Sequence, residues 1–148
     1  PLHIASVFRS PDIMQEILTN TSDEKINIKN RRGNSPLLEC AESYQTYELY
    51  NKLKHFIASP KVDFMLTNSD NCNVLHCLAG RMWLEHALDQ NKLTEIIQAL
   101  CEKGIDIDAK NNFGKTAREV AAEKRNTVML TILDNIATND PDNSCIIM

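Results

Sequence analysis

The chain repeats one arrangement of apolar and polar positions. Apolar residues recur at helical spacing in four triplets, which are Met14/Ile17/Leu18, Leu53/Phe56/Ile57, Ile97/Leu100/Cys101 and Met129/Ile132/Leu133. A spacing of i, i+3 and i+4 places the members of a triplet on one face of an amphipathic helix. The pattern therefore predicts four helices, each with an apolar stripe to bury.

A short phrase recurs upstream of these triplets. It is PLHIA at 1–5, SPLLEC at 35–40, NVLHCL at 73–78 and, in degenerate form, TAREVA at 116–121. Hydroxyl and amide side chains are preferred just before a helix, and proline is preferred at its first position. Each phrase therefore predicts a short helix, and Thr116 with Glu119 forms a capping box at the last one.

A turn precedes each of the three later phrases. Gly33, Asn71 and Gly114 occupy equivalent places, and asparagine is among the non-glycine residues that best adopt the left-handed conformation. An asparagine lies three residues before each of them, at 30, 68 and 111. The predicted unit is a turn, a short helix, a loop, a longer helix and an extended connection. The units are 1–29, 30–67, 68–110 and 111–137, followed by a flexible tail over 138–148.

These residues resemble the ankyrin repeat family in the TPLHxA-like phrase, the glycine turn and the exit sequence GIDIDA at 104–109. The resemblance covers residues 1 to about 137 and implies an all-α solenoid of stacked helix-turn-helix units with short extended turns. The family period is roughly 33 residues, whereas the turn marker moves by 38 residues from Gly33 to Asn71 and by 43 to Gly114. Arg118 replaces the family's leucine, which suits a terminal repeat with a polar outer face.

The long spacing comes from two insertions, Ser43–Lys52 and Arg81–Lys92. Insertions in repeat proteins map to loops on one face, often the binding face. These two contain the aromatic residues Tyr44, Tyr47, Tyr50 and Trp83, and such residues dominate interface hot spots. The alternative is that the aromatic rings pack the lengthened helices against each other.

The resemblance also implies a partner surface made of the turn tips and the adjoining short helices. The tips are Arg31, Arg32, Asn34, Ser69, Asp70, Cys72, Asn112, Phe113 and Lys115. From the tips and the insertions together, the predicted partner-binding residues are Arg31, Arg32, Tyr44, Tyr47, Arg81, Trp83, Asn112 and Phe113. The alternative at any one tip is a solvated turn with scattered charge.

Composition and motifs argue against several other functions. The 148 residues fit one domain, and a net charge of -4 disfavours nucleic-acid binding. His76 and Cys77 are neighbours in sequence and so do not face each other on a helix. No common zinc spacing, P-loop or dinucleotide motif occurs. The sequence therefore predicts a protein that is not an enzyme, with no catalytic residue, cofactor, metal or small-molecule substrate.

The end of the chain, Cys145-Ile146-Ile147-Met148, resembles a CaaX prenylation box. A terminal methionine favours farnesylation, so Cys145 is the predicted lipidation site and a protein farnesyltransferase the predicted modifying enzyme. A single lipid gives only marginal membrane binding. Five cysteines without a CxxC spacing favour a cytosolic compartment. The expected location is therefore cytoplasmic and peripherally membrane-associated through the prenyl anchor.

Three functions stay open at this point. The first is a prenylated ankyrin adaptor; such proteins resemble effectors that intracellular bacteria secrete into a host cell, some with an F-box that recruits ubiquitin-ligase components. The second is a soluble ankyrin inhibitor of a transcription factor. The third is the targeting arm of an enzyme or ubiquitin-ligase adaptor whose other domain lies upstream. The sequence does not name the partner protein, because one scaffold serves many partners.

Overall fold

The computed structural model describes residues 2–43, 48–81 and 89–139, and over these ranges the chain forms helices and no strand. This confirms the predicted all-α class. The helices are α1 Leu2–Phe8, α2 Pro11–Asn20, α3 Asp23–Ile26, α4 Pro36–Glu42, α5 Leu49–Ala58, α6 Val74–Ala79, α7 Gln90–Glu102, α8 Ala117–Glu123 and α9 Thr127–Asn139.

The helices pack in two rows. The short helices α1, α4, α6 and α8 contact one another in that order, and so do the long helices α2, α5, α7 and α9. The rows are also joined to each other, because α1 packs on α2, α4 on α5 and α8 on α9. A continuous core runs between the rows. It contains buried members of all four predicted triplets, including Met14, Leu53, Ile97 and Met129, none of which exposes any surface.

The three turns have the same internal hydrogen bonds. In the first, the Asn30 side-chain oxygen accepts the backbone N–H groups of Arg32 at 2.9 Å and Asn34 at 3.0 Å. Asn68 and Asn111 make the corresponding pairs of bonds in the second and third turns. The marker residues have φ values of 77° (Gly33), 59° (Asn71) and 72° (Gly114), which confirms the predicted left-handed conformation.

The turns also stack on one another. The backbone N–H of Ser69 donates to the carbonyl of Arg32 at 3.2 Å, and that of Asn112 donates to the carbonyl of Asp70 at 2.9 Å. The two bonds are equivalent, because each runs from the residue after one turn's asparagine to the second residue after the preceding turn's asparagine. The three tips therefore form one row beside the short helices.

The predicted helix caps are confirmed. The side chains of Ser35, Asn73 and Thr116 each accept a backbone N–H from the first turn of the helix that follows, and Ser10 caps α2 in the same way. Thr116 forms the expected capping box with Glu119. Asn73 and His76 form a second capping box, in which the histidine takes the place of the usual glutamate.

At the ends of three short helices, side chains from the following unit donate hydrogen bonds to the backbone carbonyls. Lys52 Nζ donates to the Val7 carbonyl at 2.9 Å, at the end of α1. The Arg81 guanidinium donates to the carbonyls of Ala41 and Ser43, at the end of α4. Asn126 Nδ2 donates to three carbonyls at the end of α6, those of Leu78, Ala79 and Arg81. We call Lys52, Arg81 and Asn126 the cross-unit caps.

Burial of the two cationic caps has an electrostatic cost. Desolvation lowers the pKa of Lys52 and also that of Arg81, since water no longer solvates the charge. Arg81 is 3% exposed. The prediction that Arg81 contacts a partner is therefore corrected: its guanidinium faces the preceding unit, where helix-end carbonyls need donors.

The last unit has a polar outer face. The Arg118 guanidinium pairs with the Asp134 carboxylate between α8 and α9, and both side chains are about half exposed. In the earlier units the equivalent positions are Leu37 and Leu75, which are buried. The charged pair thus replaces an apolar contact where the described stack ends. Within the described ranges, no helix combines the length and apolar character needed to cross a membrane.

Candidate functional site

A cavity of about 590 Å³ lies between the row of turns and the row of short helices. Its lining comes from three successive units and repeats by position. The turns contribute Arg32, Asn68, Asp70, Cys72, Asn111, Phe113 and Lys115, and the short helices with their ends contribute Glu39, Glu42, Ser43, His76, Cys77, Gly80, Val120, Glu123 and Lys124. We call this cavity the groove.

The rim of the groove is formed by one position of each turn. Arg32, Asp70 and Phe113 are equivalent, since each directly precedes the left-handed marker residue. Phe113 is 68% exposed, the largest fraction among the exposed large hydrophobic side chains of the described residues. Exposed aromatic rings of this kind are favoured anchors in protein interfaces. The rim therefore offers a cation, an anion and an aromatic ring in succession.

Two positions of the short helices form the floor. The first is occupied by Glu39, Cys77 and Val120, and the second, one helical turn later, by Glu42, Gly80 and Glu123. Cys77 is 5% exposed, so the centre of the floor is nearly closed and apolar. The floor is therefore apolar at the centre and acidic on both sides.

Ion pairs connect the turns to the floor on both sides of the groove. The Arg32 guanidinium lies 2.6 Å from the Glu42 carboxylate, and the Lys115 ammonium pairs with Glu123. Such exposed pairs contribute about 0–1 kcal/mol each, so a competing charge can displace either partner. Among the described residues, Asp70 makes no ion pair.

His76 has a structural role at the groove wall. Its Nδ1 accepts the Asn73 backbone N–H at 3.2 Å, and its Nε2 lies 2.9 Å from the Lys115 carbonyl, to which it donates in the neutral form. His3 Nε2 lies 2.8 Å from the Asn34 carbonyl, the equivalent contact in the first unit. Burial lowers the pKa of His76, which favours the neutral ring. Both ring nitrogens are engaged with the neighbouring backbone.

The thiols of the groove are held in the protonated form. Burial raises the pKa of Cys77 well above its usual value, and the nearby Glu42 carboxylate adds to this effect. Burial also raises the pKa of Cys72, and Asp70 and Glu42 act in the same direction. A thiolate is the nucleophilic form of cysteine, so these sites disfavour nucleophilic chemistry. Within the described part of the chain, no group of three His, Cys, Asp or Glu side chains could hold a metal ion.

The predicted partner-binding residues fall into three groups. Arg32 and Phe113 line the groove. Arg31 and Asn112 are exposed on the same tips outside the lining, and the Asn112 side chain donates to the Ser69 carbonyl at 3.1 Å. Arg81 is buried. The predictions for Tyr44, Tyr47, Trp83 and Cys145 lie outside the described residues.

Sequence reasoning did not name the individual side chains of the short helices that line the groove. These are chiefly Glu39, Glu42, Gly80, Val120 and Glu123. The repeat register contained the necessary signal. Once the phrases are aligned on Gly33, Asn71 and Gly114, these residues fall at two shared positions, and the residue at each position changes between units.

Comparison with known proteins gives a limited result. No protein-family model matches the chain. The chain is 29% identical, over 148 residues, to the potassium channel AKT2/3 of Arabidopsis thaliana. The match takes in 99% of this chain and 16% of the channel, so the chain spans about a sixth of that relative's length. The similarity therefore concerns one segment of a much longer protein.

Proposed function

We propose that the chain is an ankyrin-type repeat module. Three kinds of observation support this proposal: the identical hydrogen bonding of the three turns, the two rows of helices, and the engagement of His3 and His76 with the following turn. Each unit leaves an apolar face that its neighbour covers, as expected of stacked repeats. The insertions lengthen the units without changing the turns.

The proposed function of this module is non-catalytic binding of a partner protein through the turn tips and short helices. The groove is the main observation behind this proposal. The residues that line it differ from unit to unit, at positions where the repeat fold does not require a particular residue. Exposed Phe113 supplies an anchor, and the charged residues of the rim and floor supply specificity.

Affinity purification with matched variants tests this function. The double variant Arg32→Ala/Phe113→Ala removes two exposed groove residues, and Glu16→Ala/Lys25→Ala removes two exposed residues of α2 and α3. We expect a specific partner to be lost from the groove variant and retained by the control. With that partner purified, calorimetry should show at least about tenfold weaker binding for the groove variant, equivalent to about 1.4 kcal/mol. An unchanged affinity would contradict the proposal.

We further propose, from the tail sequence, that Cys145 is prenylated and that the lipid brings the module to membranes. The support is the terminal CIIM sequence after a polar spacer. One prenyl group binds membranes weakly and reversibly. A bound partner would therefore prolong the time that the protein spends at the membrane.

Replacing Cys145 with serine is expected to move the protein from the membrane to the supernatant fraction in cells that contain prenyltransferases. Met148→Leu is the matched control, because a terminal leucine exchanges farnesyl for geranylgeranyl and keeps a lipid. Metabolic labelling with a clickable isoprenoid reports the modification directly. Equal membrane fractions for the wild type and Cys145→Ser would show that the cysteine is not the anchor.

A second candidate function is an interaction arm within a larger protein. The similarity to the potassium channel AKT2/3 favours it, because the match takes in 99% of this chain but only 16% of the channel. In that arrangement the groove binds a partner and the remainder of the protein supplies a separate activity.

A further inference from the structure

Gly80 opens a notch in the middle of the groove. It occupies the floor position that holds glutamate in the neighbouring units, at Glu42 and Glu123. Adjacent helices in a packed row lie about 8–10 Å apart, so the missing side chain leaves room between the two carboxylates. Cys77 lies at the bottom of this notch, and Asp70 and Cys72 lie on the side of the turn.

The backbone does not require glycine at this position. Gly80 has φ -73° and ψ -8°, which any residue adopts. A Cβ atom placed there would lie 3.5 Å from the His76 carbonyl oxygen and 3.6 Å from that of Cys77, which are ordinary contacts. The main effect of the glycine is therefore on the shape of the groove.

The charges around the notch favour a cation. Glu42 and Glu123 flank it, and Asp70 makes no ion pair among the described residues. Three cations also belong to the groove lining: Arg32, Lys115 and Lys124. Arg32 and Lys115 are already paired with Glu42 and Glu123, and among the described residues no ion pair joins the third cation, Lys124, to Asp70.

We propose that the notch receives a lysine or arginine side chain of the partner protein. The stem of that side chain would lie on Cys77 at the space left by Gly80, and its charged end would reach Asp70 and the carboxylate of Glu42. Displacing Arg32 from Glu42 costs little, because that pair is exposed. This inference rests on the proposed function and adds the chemistry of the partner: a basic side chain next to an apolar one, which would contact Phe113.

A titration with small probes tests the notch without the partner. The probes are N-acetyl-arginine amide and N-acetyl-lysine amide, and the neutral control is N-acetyl-citrulline amide, which has nearly the shape of the arginine probe. Heteronuclear NMR spectra follow the backbone amides of Gly80, Cys77 and Asp70. We expect saturable shifts at these amides in the millimolar range with the cationic probes and not with citrulline. The stronger cationic probe identifies the preferred side chain.

Two variants locate the binding. Gly80→Leu fills the notch and should abolish the shifts; Gly80→Ala, which keeps ordinary contacts, should weaken them and serves if the leucine variant does not fold. Asp70→Asn should weaken binding about fivefold, whereas the exposed control Glu16→Gln should have no effect. Equal shifts with citrulline, no saturable shift, or full binding to Gly80→Ala and Gly80→Leu would overturn the notch. If the partner still failed to bind the Arg32→Ala/Phe113→Ala variant, the proposed function would hold although the notch proposal had failed.

Discussion

Replacing Asn126 with alanine is expected to lower the free energy of unfolding by about 3 kcal/mol. The side chain is completely buried. Its Nδ2 donates to three carbonyls at the end of α6, and its Oδ1 accepts the Met129 backbone N–H at 3.1 Å at the start of α9. Losing the cap costs about 1 kcal/mol. The Leu78 carbonyl keeps the backbone N–H of Arg81, but the carbonyls of Ala79 and Arg81 lose the Asn126 donor, which costs about 1–3 kcal/mol more.

Urea denaturation of the wild type and Asn126→Ala measures this difference. Asn91→Ala is the matched control, since Asn91 is exposed on α7, and its stability should stay within about 0.5 kcal/mol of the wild type. Asn126→Asp keeps the acceptor for Met129 but points a carboxylate at the carbonyls of Leu78 and Ala79. Asn126→Asp should therefore be no more stable than Asn126→Ala. If either variant were as stable as the wild type, the amide donor of Asn126 would have no role in stability.

Gly33→Ala is expected to destabilise the protein by about 3 kcal/mol for two separate reasons. The residue has φ 77°, and a left-handed conformation costs a non-glycine residue about 1–2 kcal/mol. The added Cβ would also lie 2.5 Å from the backbone nitrogen of Ser69. That nitrogen is fixed by its hydrogen bond to the Arg32 carbonyl, so the two turns must separate. Overpacking of this kind costs about 1–3 kcal/mol.

Gly114→Ala separates the two contributions. Gly114 has nearly the same φ, 72°, but no atom lies within 4 Å of its Cβ position. Only the conformational cost of about 1–2 kcal/mol should remain. Thermal unfolding should therefore show a clearly larger loss for Gly33→Ala than for Gly114→Ala. Equal losses would mean that the contact between the first and second turns does not contribute to stability.

Local sequence signals predicted much of what is local in the structure. The asparagine and the marker residue of each turn define one backbone conformation, and the caps at Ser35, Asn73 and Thr116 place the starts of the short helices. These features depend on residues within a few positions of each other. The apolar triplets likewise predicted the buried faces of the long helices. Repetition strengthened every one of these signals.

Contacts between units were harder to predict. Lys52 ends the first insertion and Arg81 begins the second. Because the insertions interrupt the regular spacing of the repeat, the register does not indicate which way these side chains point. Arg81 was predicted to bind a partner because it begins the second insertion. Its burial depends on carbonyls at the end of α4, some 40 residues away. The sequence around Arg81 does not indicate this contact.

The cross-unit caps give the stack a direction. Each of them serves the unit before its own, so opening the last unit removes Asn126 from the end of α6, whereas opening the first unit removes none of these three caps. Fraying that begins at the fourth unit therefore weakens the third as it proceeds. Fraying that begins at the first unit removes His3 from the Asn34 carbonyl, but the caps Arg81 and Asn126 of the later units stay in place. In native-state hydrogen exchange, the amides of α6 should consequently become exchangeable after those of α9.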